Sequence, residues 1–299
     1  MPTITVGIPA YNEEYNIKNI IDQVLAQKQK GFHLEKVVVA SDGGTDQTAD
    51  IVREYADVGV TLIDGKENRG QNYRQNEIIR QTSSDILVLL NADILLGDNR
   101  VLLHLVEPII RGEADLTAQW ARPLEPKTFL ESVLCSGFDI KYSIYTRHRD
   151  GDNIYTCVGH MRALSKKFYS EVVFPLDSGG EDQYLYLLCI ARGFVYKQAR
   201  EVRAFFRLPG TFSDYKKYAR RIFQTQRKHT DAFSEELTRA ERRIPRTTLL
   251  LGGMYAFVKH PFRTLLYVVL HVAIQQWTLR QSMSTAHAFD VSTSTKKIV

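Results

Sequence analysis

The chain alternates between short unbroken apolar runs and longer stretches in which apolar residues recur three or four apart. The runs fall at residues 4–8 (I-T-V-G-I), 36–40 (K-V-V-V-A), 58–63, 85–90 and 114–119. An apolar run of four to eight residues without polar alternation is what a strand buried on both faces requires, as in a parallel sheet. Between the runs, Ile17, Ile20, Ile21, Val24 and Leu25 keep helical spacing, as do Val101, Leu102, Leu105, Val106 and Ile109. Further helices are predicted over 71–81 and from the 45–46 region through Tyr55. Asn12, Thr45 or Asp46, and Asp98 are the expected N-caps, with Glu13 and Glu14 complementing the first helix dipole. Such alternation predicts an α/β fold: a mostly parallel sheet with helices on both sides.

Each strand runs into a polar or glycine-bearing loop: P-A-Y-N-E at 9–13, S-D-G-G-T-D at 41–46, N-R-G at 68–70 and N-A-D at 91–93. Ligands of open parallel sheets sit outside the carboxyl ends of the strands. Asp42, Asn68, Arg69, Asn91 and Asp93 are therefore expected on one rim. Asn91 and Asp93, at the end of the most apolar run, are of the type that meets a hard cation and its phosphates. Mg²⁺ is usually held by only one or two protein carboxylates. A simple polar turn is the alternative for N-A-D taken alone. No G-x-G-x-x-G follows the first strand and no G-x-x-x-x-G-K-[ST] occurs, so a dinucleotide fingerprint or P-loop is unsupported.

Charge and cysteine usage refine this picture. The 299 residues carry a net charge of +5, but residues 200–246 hold thirteen Lys/Arg against six Asp/Glu, a net +7 that leaves −2 for the rest. Such a zone is either a solvated helix face or a site for an anionic partner: nucleotide diphosphate, phospholipid or nucleic acid. No aromatic-basic nucleic-acid motif accompanies it, and no nucleic acid partner is expected. Cys135, Cys157 and Cys189 are widely spaced and fit neither a disulfide framework nor a zinc site. The opening M-P-T-I-T lacks a basic segment followed by a long apolar one, so no signal peptide is apparent. A reducing cytoplasm is the expected compartment.

Four motifs in order, Ile8-Pro9-Ala10-Tyr11-Asn12-Glu13-Glu14, Ser41-Asp42-Gly43-Gly44-Thr45-Asp46, Asn68-Arg69-Gly70 and Asn91-Ala92-Asp93, resemble family 2 glycosyltransferases of the GT-A fold. The likeness runs over residues 3–230. It implies a Rossmann-like sheet and an inverting transfer of a sugar from a nucleotide-diphosphate sugar. It also implies that the loop bearing Pro9, Ala10, Tyr11 and Glu13 wraps the nucleoside, and that Asp42 contacts the base. Asn68 and Arg69 would lie beside the nucleotide. Asn91, Ala92 and Asp93 would form the D-x-D element, which holds ribose and the Mg²⁺ or Mn²⁺ bridging the diphosphate. Asn91 stands where the pattern has Asp. It can still hydrogen-bond ribose, and Asp93 would carry the cation contact.

The resemblance continues past residue 120. Gly159-His160-Met161-Arg162-Ala163 looks like the family's glycine-led segment beneath the donor sugar, and Gly179-Gly180-Glu181-Asp182-Gln183 matches its E-D motif. Two carboxylates opening a helix also serve as dipole-complementing charges. By the resemblance, Asp182 is the general base that takes the acceptor proton as the glycosidic bond forms, and Glu181 positions the acceptor or orients the loop. The histidine that many relatives place further on as a metal ligand is missing: residues 202–207 read V-R-A-F-F-R, leaving Arg203 or Arg207 to neutralise the diphosphate. Arg220, Arg221 and Arg227, on a predicted helix over 215–229, loosely match the basic element that closes over the diphosphate. A plain surface helix is the alternative.

The expected division is a catalytic unit over 1–230, with a nucleotide-binding half (1–120) and an acceptor half (121–230), then a helical apolar appendage (231–280) and a disordered Ser/Thr-rich tail (281–299). The apolar stretches 247–258 and 264–279 each fall short of the roughly twenty residues a membrane span needs. Pro261 breaks them. Basic residues beside Tyr255, Phe257, Phe262, Tyr267 and Trp277 fit peripheral membrane contact through 242–279. Packing on the catalytic unit, or on a second copy in a homo-oligomer, is the alternative. The expected function is transfer from a UDP- or GDP-type donor to a glycan or lipid-linked acceptor at the cytoplasmic face of the membrane, in cell-surface polysaccharide or glycolipid synthesis. The alternatives are a nucleotidyltransferase of similar fold and a non-catalytic scaffold. P-A-Y-N-E-E argues against the former, which would carry a glycine-rich basic loop there.

Overall fold

A computed structural model of the protein describes residues 1–176, 180–228, 232–280, 295, 296 and 298. The first half runs β1 (Thr3–Ala10), α1 (Ile17–Leu25), β2 (His33–Asp42), α2 (Thr48–Arg53), β3 (Val60–Gly65), α3 (Gln71–Arg80) and β4 (Ile86–Leu90). It continues through β5 (Leu95–Leu96), α4 (Val101–Ile110), β6 (Leu116–Ala118) and β7 (Arg122–Pro123). The second half holds α5 (Phe129–Arg147), β8 (Met161–Ser165), α6 (Lys166–Tyr169), α7 (Glu181–Ala191), β9 (Tyr196–Gln198) and β10 (Ala204–Phe206). Four helices follow: α8 (Phe212–Lys228), α9 (Glu235–Arg242), α10 (Arg246–Lys259) and α11 (Pro261–Leu279).

Seven strands form one sheet in the order β3-β2-β1-β4-β8-β6-β9, and three form a second in the order β5-β10-β7. Strands β3, β2, β1 and β4 are mutually parallel. β8 lies antiparallel to β4 and β6, and β6 is parallel to β9. Strand β2 shows why the apolar runs are unbroken. Val37 and Val39 face a layer that includes Ile17 and Ile21 of α1 and Leu102 and Leu105 of α4. Val38 and Ala40 face the opposite layer, with Ile78 of α3 and Leu185 and Leu188 of α7. Side chains alternate between faces, and both faces are covered, so each position is apolar. The register pairs Ala10 with Ser41, Asp42 with Gly65, and Leu90 with Met161. The ends of β1 to β4 and the beginning of β8 thus share one rim.

The caps differ from expectation in an informative way. α1 starts at Ile17, and Asn12 does not cap it. Asn12 sits at φ 53°, where its Oδ1 accepts the Thr45 N–H at 2.8 Å. It ties two rim loops together. Asp46 does stand at the start of α2, its Oδ1 accepting the Thr48 N–H at 3.0 Å. Asp98 accepts the Arg100 N–H at 2.7 Å just ahead of α4. The Leu102 N–H inside that helix goes instead to Gln27 Oε1 at 3.0 Å, a tertiary cap that local sequence does not reveal.

Helices α10 and α11 form a hairpin on α5. A Cβ at Gly252 would stand 3.0 Å from the Ile144 backbone nitrogen, so glycine permits this close approach. Tyr267 and Ile274 bury against Val133 and Leu134 of α5 and Tyr215 and Ala219 of α8. The hairpin's other side is open: Leu250, Met254, Val258, Phe262, Leu265 and Val269 are all exposed. Among the described residues, no helix is long and apolar enough to cross a membrane.

Candidate active site

One side of the rim is built from three loops. Pro9 and Ala10 end β1, and the chain turns through Tyr11 to Glu13, which is buried. The Glu13 N–H donates to Thr48 Oγ1 at 2.8 Å, and its carboxylate accepts from Asn16 Nδ2 at 2.9 Å. Burial, and then repulsion from Asp93, push the Glu13 carboxyl up to about 7, with Lys296 pulling the other way. Most of the expected disordered tail lies outside the described residues; of it, Lys296 and Ile298 are described against this loop. Lys296 pairs with Glu13 and donates to the Tyr11 carbonyl at 2.7 Å, and Ile298 is buried. A buried carboxylate beside a second carboxylate needs a counter-charge, and Lys296 supplies one.

Asp42 closes β2 with both oxygens engaged. Oδ1 accepts from the Arg69 N–H at 2.8 Å and from Arg74 Nε at 2.7 Å. Oδ2 accepts from the Gly70 N–H at 2.8 Å. Two lone pairs per oxygen leave room for one further donor on Oδ2. Asp42 is thus first a clamp on the Asn68-Arg69-Gly70 loop. Asn68 and Arg69 themselves are exposed. The Arg69 guanidinium stacks on the Tyr73 ring at 3.7 Å, held at the rim by a hydrogen bond to the Tyr73 hydroxyl at 2.6 Å.

Across the rim lie the N-A-D and E-D motifs. Ala92 is buried, while Asn91 and Asp93 keep partial exposure. The Asn91 N–H donates to the His160 carbonyl at 3.0 Å. Gln71, the first residue of α3, bridges the two motifs: its Nε2 lies 3.4 Å from Asn91 Oδ1 and 3.3 Å from Glu181 Oε1. Sequence reading passed over Gln71; its place at the helix start directly after N-R-G is the only signal for it. Glu181 and Asp182 open α7, while Gly179 lies outside the described residues. Gly159 makes room for the pair, since a Cβ there would stand 2.9 Å from Glu181 Oε1. Asp182 Oδ1 accepts the Gln183 N–H at 2.8 Å. Asp182 keeps some solvent contact but is closely surrounded by protein. Burial first, and then the Glu181 charge, push its carboxyl up to about 6, while Arg162 pulls it down.

The basic residues named from sequence are not all here. Arg207 is buried and faces away, donating to the Glu125 carbonyl at 3.0 Å and lying 3.9 Å from Glu131. Glu131 completes the N-terminal capping box of α5, so Arg207 is engaged in structure and is not available to a diphosphate. Arg203 is exposed and contributes its backbone carbonyl to the Gly97 N–H at 2.8 Å. Arg220 is half-buried on α8, and among the described residues no hydrogen bond or ion pair joins it to the rim. The side chains of Arg221 and Arg227 lie outside those described. No group of three His, Cys, Asp or Glu side chains among the described residues is placed to hold a metal.

The strand-end loops at 9–13, 41–46, 68–70 and 91–93 all lie within the span of one family model: Glycosyl transferase family 2 fits residues 5–173. The chain belongs to glycosyltransferase family 2. This transferase is 30% identical over 97 residues to the poly-beta-1,6-N-acetyl-D-glucosamine synthase of Staphylococcus aureus, spanning 32% of this chain and 23% of the synthase. It is 25% identical over 103 residues to the O-antigen chain rhamnosyltransferase RfbN of Salmonella typhimurium, spanning 34% of this chain and 32% of that protein. The match therefore covers about a quarter to a third of these relatives' length. In fold, the transferase is similar to the mannosyltransferase PcManGT from Pyrobaculum calidifontis, solved with GDP-Man and Mn²⁺: TM-score 0.61, 19% identity, 95% of this chain and 77% of that one. It is also similar to glucosyl-3-phosphoglycerate synthase from Mycobacterium tuberculosis, solved with Mn²⁺ and UDP-Glc: TM-score 0.53, 18% identity, 75% of this chain and 78% of that one. These likenesses show a GT-A fold.

Proposed function

We propose that this glycosyltransferase moves a sugar, with inversion, from a UDP- or GDP-type donor to a glycan or lipid-linked acceptor of the cell surface. The observation that carries the reading is the Gln71 bridge. It sets the nucleotide-side motif (Asn91) and the carboxylate pair (Glu181) within reach of one amide. A donor lying over Asn91–Asp93 then presents its anomeric carbon towards Glu181 and Asp182. The acceptor hydroxyl attacks that carbon and gives its proton to Asp182. The bond from the anomeric carbon to the diphosphate breaks, and the nucleoside diphosphate leaves. Pro9, Ala10, Tyr11, Glu13, Asp42, Asn68 and Arg69 frame the nucleoside. Arg220 and Arg221 would neutralise the diphosphate.

A divalent cation fits this site. Its donors are hard oxygens, and Asp93 stands close enough to the buried Glu13 carboxylate for their charges to repel, which a cation relieves. One or two carboxylates plus substrate phosphates are the usual holding set for Mg²⁺. Asp93 would hold Mg²⁺ or Mn²⁺, and the ion would supply charge neutralisation of the leaving diphosphate.

The open face of α10 and α11 fits the interfacial region of an anionic membrane, with the catalytic unit on the cytoplasmic side. Exposed apolar and aromatic side chains, Met254, Phe257 and Phe262 among them, are flanked by exposed Arg243, Arg246 and Arg263. That combination is characteristic of interfacial helices.

The reading is tested by thermal-shift titration with UDP, GDP, dTDP and CDP, each with Mn²⁺, Mg²⁺ or EDTA. A ligand that binds only the native state raises the midpoint once its concentration passes Kd. One nucleoside diphosphate standing out in the presence of metal is the expected result. No shift with any of them would overturn the donor site and leave a non-catalytic scaffold.

A further inference from the structure

Strand β8 carries one residue that its position does not explain. Arg162 pairs with Leu89 of β4 on one side and Ala118 of β6 on the other, in mid-sheet. Its neighbours Met161, Ala163 and Leu164 are buried and apolar, and Arg162 is itself 0% exposed. Among the described residues, none of its three guanidinium nitrogens finds a hydrogen-bond partner. The nearest opposite charge is Glu181, whose Oε1 lies 3.9 Å from Nη2. Arginine cannot shed its proton to escape such a site. A buried charge without a partner is strongly unfavourable, and an apolar side chain would fill the strand without that penalty. The charge itself must therefore be what the site uses.

We propose that Arg162 is the built-in counter-ion of the Glu181–Asp182 pair, a positioning residue whose buried charge faces the two carboxyl groups at the rim. The proposal rests on Asp182 acting as the base. The groups around Asp182 leave this task to Arg162. Its own helix contributes Glu181, a like charge. The loop before β8 contributes Cys157, whose thiol donates to the Asp182 carbonyl at 3.6 Å. Burial pushes that thiol well above its ordinary value, so it stays neutral. The His160 ring in the same loop packs on Phe206 at 4.7 Å. From α3 comes only the uncharged Gln71. From α9, Arg242 reaches Gln183 at 3.1 Å, and from β9, Tyr196 bonds Thr156. The N–H groups of Gly159 and Gln183 help the carboxylate, but Arg162 is the full positive charge that acts on it. Without it, burial and the Glu181 charge would act with only those N–H groups opposing them, and the base would be protonated through neutral pH.

The test is a pH titration of the full chain labelled with carbon-13 at aspartate side-chain carboxyls, read by NMR, with Asp182→Asn identifying the resonance. Arg162→Met keeps the length and removes the charge; Arg162→Lys keeps the charge. Arg162→Met is expected to raise the Asp182 midpoint by about one pH unit or more, a tenfold tighter proton, and Arg162→Lys to leave it near the wild-type value. The acidic limb of the transfer rate should move by the same amount, with nucleoside diphosphate binding unchanged. If Arg162→Met does not fold, Arg162→Gln, which removes the charge and keeps a polar side chain, gives the same test. An unmoved midpoint in folded Arg162→Met or Arg162→Gln overturns the counter-ion role. The titration needs no substrate, so it separates from the transferase reading. A shifting midpoint in a protein that transfers no sugar refutes the transferase assignment alone. An unmoved midpoint in an active enzyme refutes Arg162 alone.

Discussion

Arg74 Nε lies 2.7 Å from Asp42 Oδ1, and both side chains are almost wholly buried, at 4% and 6% exposure. This pair sets the loop at residues 68–70, because the same carboxylate accepts the N–H groups of Arg69 and Gly70. Removing one partner of a buried pair leaves the other charge uncompensated and costs about 3–5 kcal/mol. Arg74→Met is expected to lose stability of that order in urea denaturation at neutral pH, and nucleotide binding with it. A loss below about 1 kcal/mol, the range of exposed pairs, would mean that water reaches the site and that Asp42 is not the clamp.

Asp182 gives the second prediction. A base must be ionised to accept a proton, and burial beside Glu181 has pushed this carboxyl up to about 6. Transfer is therefore expected to fall as pH drops through about 6, and to be flat above it until another group intervenes. Asp182→Asn should lower turnover by about 10²–10⁴-fold, the usual contribution of a general base, with nucleoside diphosphate affinity unchanged by calorimetry. Loss of both activities, or of neither, would remove Asp182 from the role.

Much of this was legible in the sequence, and what was not follows a physical rule. Apolar runs such as 86–90 are local, because a strand covered on both faces is apolar at every position. The rim loops follow from the same alternation. Gln71 and Gln27 were invisible because a polar side chain bridging two distant loops has no periodic signature. Asn12 was misread as a cap because its partner, the Thr45 N–H, lies on another strand's loop. Of the two alternatives Arg203 and Arg207, the partner of Arg207 was equally hidden: the carboxylate it faces, Glu131, is fixed by the capping box of α5. Lys296 shows the same limit: nothing in its local sequence ties it to the buried Glu13 carboxylate.

The cation contact is the third prediction. Asp93 brings the one formal charge of the N-A-D motif, and Asn91 brings none. Asp93→Ala is expected to weaken nucleoside diphosphate binding at least about tenfold, one charge-assisted contact, in Mg²⁺ or Mn²⁺, and to change it little in EDTA. Wild-type binding that is insensitive to EDTA would transfer the diphosphate's neutralisation to arginines such as Arg69 and remove Asp93 as a ligand.

The hairpin of α10 and α11 supplies the last. Its inner side is committed to α5 and α8 through Tyr267 and Ile274. Its outer side leaves Leu250, Met254, Val258, Phe262, Leu265 and Val269 open to solvent, and an exposed apolar face of this kind marks an interaction site. Lys259 is tied to Asp139 at 2.9 Å, so Arg243, Arg246 and Arg263 carry the attraction to an anionic surface. Sedimentation with phosphatidylglycerol vesicles is expected to capture the protein, with capture weakening as salt screens those arginines. Val258→Asp with Phe262→Asp should abolish capture and leave nucleoside diphosphate binding intact, because neither residue touches the rim. A protein that ignores vesicles but elutes as a dimer, and becomes a monomer with the same two substitutions, would show that a second copy covers this face instead of lipid.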